Sequence, residues 1–232
     1  MAGMANSLEM LQKVAEALGP LLNEVVFVGG TIPSLLITDP AAPSLRPTKD
    51  VDIIINSLSH HSHASFEEKL RKRGFQMKPP PACRYGINDI LVDVMTTTSE
   101  AMGFSERWYA EAFASAESLT LPNGIMIRVI QAPLFLATKL DAWRDRGNRD
   151  VLASPDLEDI LAVIDGRDTL LDEIQQSNHD VRIFLSQHFE LLLKNNDFLE
   201  AVPGHLGGDA IAHERAEKAV EVMKKIVELG HV

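Results

Sequence analysis

An α+β fold is predicted, a small mixed sheet with helices followed by an all-helical part, and three observations predict it. Apolar β-branched runs at Glu24 to Val28, Asp50 to Ile55 and Ile90 to Met95 alternate with helical patterns. Asn123-Gly124, between Leu119 to Leu121 and Ile125 to Ile130, is a strong hairpin signal. From Pro133 to the end the spacing is helical throughout. A mixed strand-and-helix part followed by an all-helical one is the pattern of an α+β chain or of two subdomains. The expected domains are 1–131, mixed, and 132–232, helical, with the boundary at Gln131-Ala132-Pro133.

Each element has a local reason. Asn6 and Glu9 resemble a capping box, Leu8, Leu11, Val14 and Leu18 recur at helical spacing, and Gly19-Pro20 ends the helix. Glu24 to Val28 reads as a buried strand ending at Gly29-Gly30, with a short helix expected from Thr31 to Ile37. Asp39 to Pro47, with three prolines, is a loop. His60 to His63 is expected to be a polar connection, and Ser65 to Arg73 a helix capped by Gly74. A helix is expected over Ser105 to Ala116. Further helices are expected at Pro133 to Asp145, Pro155 to Ile164, Thr169 to Gln175, Asp180 to Lys194 and Asp209 to Leu229, with Gly204 to Gly208 separating the last two.

Composition narrows the function classes. With 33 acidic residues against 22 Lys plus Arg and a net charge of −11, an extended basic face for duplex nucleic acid is not expected. A local groove for one strand or a tRNA end is compatible with that balance. The single Cys83 rules out an intramolecular disulfide. The first eleven residues lack the pattern of a signal peptide, and no run approaches a membrane span, so a cytoplasmic protein without a membrane partner is expected.

The chemistry centres on acidic residues in apolar strands. Side chains alternate along a strand, so Asp50 and Asp52 share one face while Val51, Ile53 and Ile55 share the apolar other. Hard oxygen ligands on an otherwise apolar strand suit magnesium. Asp93 stands in the apolar run Leu91-Val92-Asp93-Val94-Met95, where an ionised carboxylate is costly unless paired or bound to metal. If the two strands are neighbours the three carboxylates converge, as metal-assisted phosphoryl transfer requires. An isolated D-x-D is more often explained by turn capping and ion pairing, but its neighbours weigh against that. Val28-Gly29-Gly30-Thr31 follows a strand and brings backbone N–H groups and a hydroxyl within reach of a phosphate. In Arg46-Pro47-Thr48-Lys49, Arg46 is open to contacting a phosphate, locking the loop, or simply facing solvent. Lys139 lies among apolar residues on an amphipathic helix, where a buried ammonium needs an anion and one at the core's edge snorkels to water. Asp156 and Asp159 share a helix face; the helix dipole accounts for Asp156, while Asp159 lies deeper and is the better site candidate. His60, His61 and His63 lack the companions a zinc site needs.

The order Gly29-Gly30-Thr31, then Arg46-Pro47-Thr48-Lys49-Asp50-Val51-Asp52, then Leu91-Val92-Asp93-Val94, resembles the polymerase-beta-like nucleotidyltransferases. Within them it looks most like the AbiEii/AbiGii toxin family. The helical half extends this with Ala137-Thr138-Lys139-Leu140-Asp141-Ala142, Arg144 and Arg146, and Ser154-Pro155-Asp156-Leu157-Glu158-Asp159-Ile160. The segment between Gly30 and Asp50 is longer than in the family, and Pro155 stands where the family has lysine. The resemblance implies a polymerase-beta-like nucleotidyltransferase core in residues 1–131. It implies transfer of a nucleoside monophosphate from an NTP, with release of pyrophosphate. Asp50, Asp52 and Asp93 match the metal ligands, Mg2+ or Mn2+. Gly29, Gly30 and Thr31 match the triphosphate turn, Lys139 the lysine near the phosphates and Asp159 the late aspartate. It also implies an RNA (tRNA) or protein acceptor, and the toxin role of a toxin–antitoxin pair with an antitoxin partner. A small-molecule nucleotidyltransferase and a non-catalytic nucleotide-binding module are the alternatives.

Overall fold

The computed structural model describes residues 2–57, 60–98, 107–146, 150–208 and 211–230. The chain divides into two compact units: residues 2–34 with 46–131, and residues 35–45 with 132–232.

The first unit carries the sheet. Helix α1 (Ala2–Leu18) buries Leu11, Val14, Ala15 and Leu18 at i, i+3, i+4 and i+7, the spacing of one helical face. Its last carbonyls are capped by Arg73, whose Nε donates to Ala17 O at 2.8 Å. Strand β1 (Val25–Val28) is buried along its whole length. The glycines after it form a single 3-10 turn, Gly29–Thr31, followed by the four-residue helix α2 (Pro33–Leu36), in place of the one short helix expected. Strand β2 is Asp50–Ile55.

Helix α3 (His60–Lys72) starts five residues earlier than expected and absorbs the histidines. Its buried stripe is Phe66 and Leu70, which leaves the polar run on the other face. It ends in a paired turn, with Gly74 N donating to Arg71 O and Phe75 N to Leu70 O, and with Gly74 at φ +91°. Strands β3 (Gln76–Met77) and β4 (Arg84–Ile87) were not expected, so Ile90 to Met95 falls in the fifth strand, β5 (Ile90–Thr96). Asn88 and Asp89, both at positive φ, join β4 to β5 with Ile87 opposite Ile90. This two-residue turn matches the twist of a hairpin. Helix α4 (Tyr109–Ala114) is shorter than the Ser105 to Ala116 stretch expected; Ser105 and Glu106 lie outside the described residues. Strands β6 (Glu117–Thr120) and β7 (Met126–Val129) form the hairpin that Asn123-Gly124 signals, and Gly124 takes φ +83°.

The seven strands form one mixed sheet in the order β3-β4-β5-β2-β1-β7-β6. Strand β2 runs antiparallel to β1 and parallel to β5. A parallel neighbour needs a long crossover, and here α3, β3 and β4 lie between β2 and β5 in the chain.

The second unit is helical: α5 (Ala132–Arg146), α6 (Pro155–Gly166), α7 (Leu170–Gln176), α8 (His179–Leu193), α9 (Asn196–His205) and α10 (Ala212–Leu229). Of these, α9 was not expected; it fills the chain between the helix expected to end at Lys194 and the Gly204 to Gly208 break, and runs into the start of that break. It opens on Asn195, whose side chain accepts from Phe198 N, and it carries Pro203 near its end. The expectation that α10 begins at Asp209 falls on residues outside those described. Ser154 caps α6 by accepting from Leu157 N, with Pro155 at the first helical position. Helices α8 and α10 approach closely: Ser186 Oγ donates to Val227 O at 2.8 Å, and a Cβ on Gly230 would meet Ser186 Cβ at 2.2 Å. No helix among the described residues is long and apolar enough to cross a membrane.

Residues 35–45 are tied to the helices by specific bonds. Gly166 O accepts from Thr38 N at 2.7 Å and Asp39 N at 3.0 Å, and Arg167 Nη1 donates to Leu36 O at 2.7 Å. Arg215 on α10 joins the buried Asp165 to Ala41 O and Asp39. Burial holds the Asp165 carboxyl above its ordinary value of 3.8, with Arg215 opposing that shift. A raised acid stabilises the fold most while protonated, so its contribution is lost as pH rises through the folded value. Removing Arg215 takes away the charge that opposes the shift. Arg215→Ala should therefore cost about 3–5 kcal/mol near neutral pH and less near pH 4, measured by urea denaturation at both.

Candidate active site

The site is built where strand β2 lies beside β5. Asp52 is the register partner of Asp93, and Asp50 lies level with Leu91. In a parallel pair, level residues face the same way, so Asp50, Asp52 and Asp93 share one face. The opposite face carries Val51, Ile53, Val92 and Val94, each fully buried. That apolar face holds the register, because a slip of one residue would drive the carboxylates into the core.

Strand β1 brings the glycine turn to the same place. Val28 is the register partner of Asp52, so Gly29 arrives directly against it. A Cβ on Gly29 would lie 1.8 Å from Asp52 Oδ2, and the residue sits at φ +76°. Both facts demand glycine. Thr31, fully buried in the turn after β1, and Thr48, 7% exposed and two residues before β2, each carry an Oγ1 with no hydrogen-bond partner among the described residues. A buried hydroxyl left unpaired costs on the order of 1–3 kcal/mol. Arg46 enters this unit with the loop leading to Thr48.

The residue missed from the sequence is Arg84. It lies on β4 opposite Asp93, and its guanidinium grips that carboxylate with two bonds, Nε to Oδ1 at 2.8 Å and Nη2 to Oδ2 at 2.7 Å. The same Nη2 donates to Asp50 Oδ2 at 2.9 Å. The Asp93 hydrogen bond raises the already high guanidinium pKa further. The turn at Asn88-Asp89 was the available signal, because positions 84 and 93 are equidistant from it.

The negative field extends to the sheet beside it. Burial pushes the Cys83 thiol up to about 11, and the Asp93 and Asp52 carboxylates add to that shift. An all-oxygen donor set on one face suits a hard divalent cation in its chemistry. As the side chains stand, no group of three or more acidic, His or Cys residues is set to hold a metal among the described residues. Arg84 takes up both Asp93 oxygens and one of Asp50.

In the helical unit, Lys139 on α5 pairs with Asp159 at 2.7 Å and Asp156 at 2.9 Å, both on α6. Asp156 is thus more than a residue favoured by the helix dipole. Burial lowers the Lys139 pKa, but the two carboxylates outweigh it and the net shift is upward. The ammonium therefore stays charged. On the opposite sheet face of the first unit, Tyr85 donates to Glu67 at 2.5 Å and His63 lies 3.6 Å from the same carboxylate, so this histidine serves packing around α3.

Comparison with known proteins adds the fold. JHP933 from Helicobacter pylori aligns over 98% of this chain and 93% of its own, with a TM-score of 0.50 and 12% identity. An antigenic nucleotidyltransferase-like protein from Paracoccidioides brasiliensis aligns over 85% of this chain and 92% of its own, with a TM-score of 0.49 and 20% identity. At such identities likeness speaks of the fold alone: a mixed sheet with a helical part, shared with JHP933. No family model and no curated protein matches the sequence.

Two substitutions check this geometry. Gly29→Ala should lower stability by about 1–3 kcal/mol through strain and displacement of Asp52, read by chemical denaturation. Lys139→Ala should cost about 3–5 kcal/mol by leaving two carboxylates on α6 without their counter-charge, read the same way.

Proposed function

We propose that the chain is a metal-dependent nucleotidyltransferase that moves a nucleoside monophosphate from an NTP to an acceptor and releases pyrophosphate. One observation carries this reading: Asp52 stands level with Asp93, on the face it shares with Asp50 and directly against the Gly29 turn. A phosphate site needs both parts, anionic ligands for a cation and a backbone bare enough for a triphosphate to come close.

Asp50, Asp52 and Asp93 would hold magnesium or manganese, which supplies Lewis-acid polarisation and neutralises charge on the transferring phosphate. Gly29 and Gly30 leave room for the phosphates by having no side chain. Thr31 and Thr48 offer hydroxyls that have no other partner among the described residues. Lys139 and Asp159 enter the proposal on the motif order alone, as does Arg46. Membership of the AbiEii/AbiGii toxin family, a toxin role held in check by an antitoxin, and a cytoplasmic setting rest on the same motif order. RNA such as tRNA, or protein, is the proposed acceptor.

The grip of Arg84 on Asp93 and Asp50 favours a second reading, a nucleotide-binding module without turnover. One assay separates the two. Purified protein is incubated with each labelled NTP, a divalent ion and total RNA, protein or small-molecule acceptors. Label should move to one acceptor class, and Asp52→Ala should cut transfer by about 1,000-fold or more, a barrier higher by roughly 4 kcal/mol. Label transfer unchanged in Asp52→Ala would sink the mechanism. Tight NTP binding without pyrophosphate release would select the module instead, and label on a small molecule would replace the macromolecular acceptor.

A further inference from the structure

Resting on that reading, we propose that Arg84 is a cationic latch on the metal site, whose guanidinium occupies the carboxylates a divalent ion needs and must leave before the ion binds. Three observations support it. Its two bonds to Asp93 and one to Asp50 take up oxygens of two of the three acidic side chains on the face. A carboxylate oxygen held in line by an N–H has less lone-pair density to give a cation, and a fixed positive charge repels a second one. Finally, the pairing is poised for exchange. Arg84 is 26% exposed and Asp50 33%, so the guanidinium has a route to solvent.

The latch answers a problem created by the register. Two carboxylates level on adjacent strands repel each other, and the metal-free fold requires a cation among them. Arg84 supplies it from β4, while its backbone remains in the ladder with Asp93 whether or not the side chain stays. Release does not require the strand to move, only the rotation of a long flexible stem. A guanidinium freed at this face is also matched to phosphate, which it binds through two parallel N–H bonds. Arrival of the metal with a triphosphate would then exchange carboxylate partners for phosphate partners, so that the site loads as a unit.

The strength of the effect follows from populations. A latch closed about 90% of the time weakens apparent metal affinity about tenfold, and one closed about 99% of the time about a hundredfold. The test measures free Mn2+ by electron paramagnetic resonance in titrations of the full chain without nucleotide. Arg84→Met, which removes the charge and keeps the stem, should bind Mn2+ at least about tenfold more tightly than the unaltered chain. Arg84→Gln retains a donor towards Asp93 and should tighten binding in the same direction if Arg84→Met does not fold. Both variants should melt at lower temperature without metal and regain the loss on adding Mn2+. Adding Asp52→Asn to either variant should abolish the gain.

Equal or weaker Mn2+ binding in both variants overturns the latch, as does a gain that survives Asp52→Asn. The two readings fail separately. If the unaltered chain transfers label from an NTP while the Arg84 variants bind Mn2+ no better, the latch fails and nucleotidyl transfer stands. If the variants bind Mn2+ more tightly but the chain neither binds nor transfers any NTP, the latch stands and the nucleotidyl reading fails.

Discussion

The parallel pairing of β2 with β5 is the constraint on which the acidic site depends. It sets Asp52 level with Asp93, two like charges on adjacent strands, a placement that disfavours folding unless something positive lies between them. The cost is met on two sides. Behind the carboxylates, Val51, Ile53, Val92 and Val94 bury an apolar face that tolerates no other register. Before them, Arg84 closes over Asp93 and Asp50. The rest of the site is arranged around this pair. The antiparallel partner β1 ends opposite Asp52, so the backbone must turn immediately, and the approach leaves space only for glycine at position 29.

The helical unit solves a related problem with the signs reversed. Lys139 is a single ammonium, 11% exposed, held by two carboxylates from the next helix. A buried charge is tolerated when its partners are well placed, and removal of one member leaves the others uncompensated. Arg215 performs the same service for Asp165 and also reaches Asp39 and the Ala41 carbonyl, which joins an excursion of the chain to the helices. In both units the charged groups that matter are buried or half-buried pairs. The many exposed i,i+4 pairs, such as Lys13 with Glu9 and Lys72 with Glu68, add little.

The elements that could be read from the sequence were those whose pattern is local and strong. Helix α1, strands β2 and β5, the β6–β7 hairpin and the long C-terminal helices all show their period in ten or so residues. Those missed lacked that signal. Strand β3 has two residues and β4 four, with Gly86 inside it; each exists because a neighbouring strand supplies its hydrogen bonds. The histidines of α3 read as loop because their helix-forming context, Phe66 and Leu70, lies beyond them. Helix α9 hid behind Pro203 and the glycines that follow it.

The sequence by itself determined that two carboxylates share one face of an apolar strand, that a third stands in another apolar strand, and that a glycine turn follows the first strand. Alternation of side chains and the cost of burying charge are enough for that, because both act within a few residues. Only the tertiary structure decided that Asp52 and Asp93 lie level, that Gly29 touches Asp52, and that Arg84 holds the face. These depend on which strands are neighbours and in which direction they run. Strand order is settled by burial summed over the whole sheet, and no local window of the chain contains that sum.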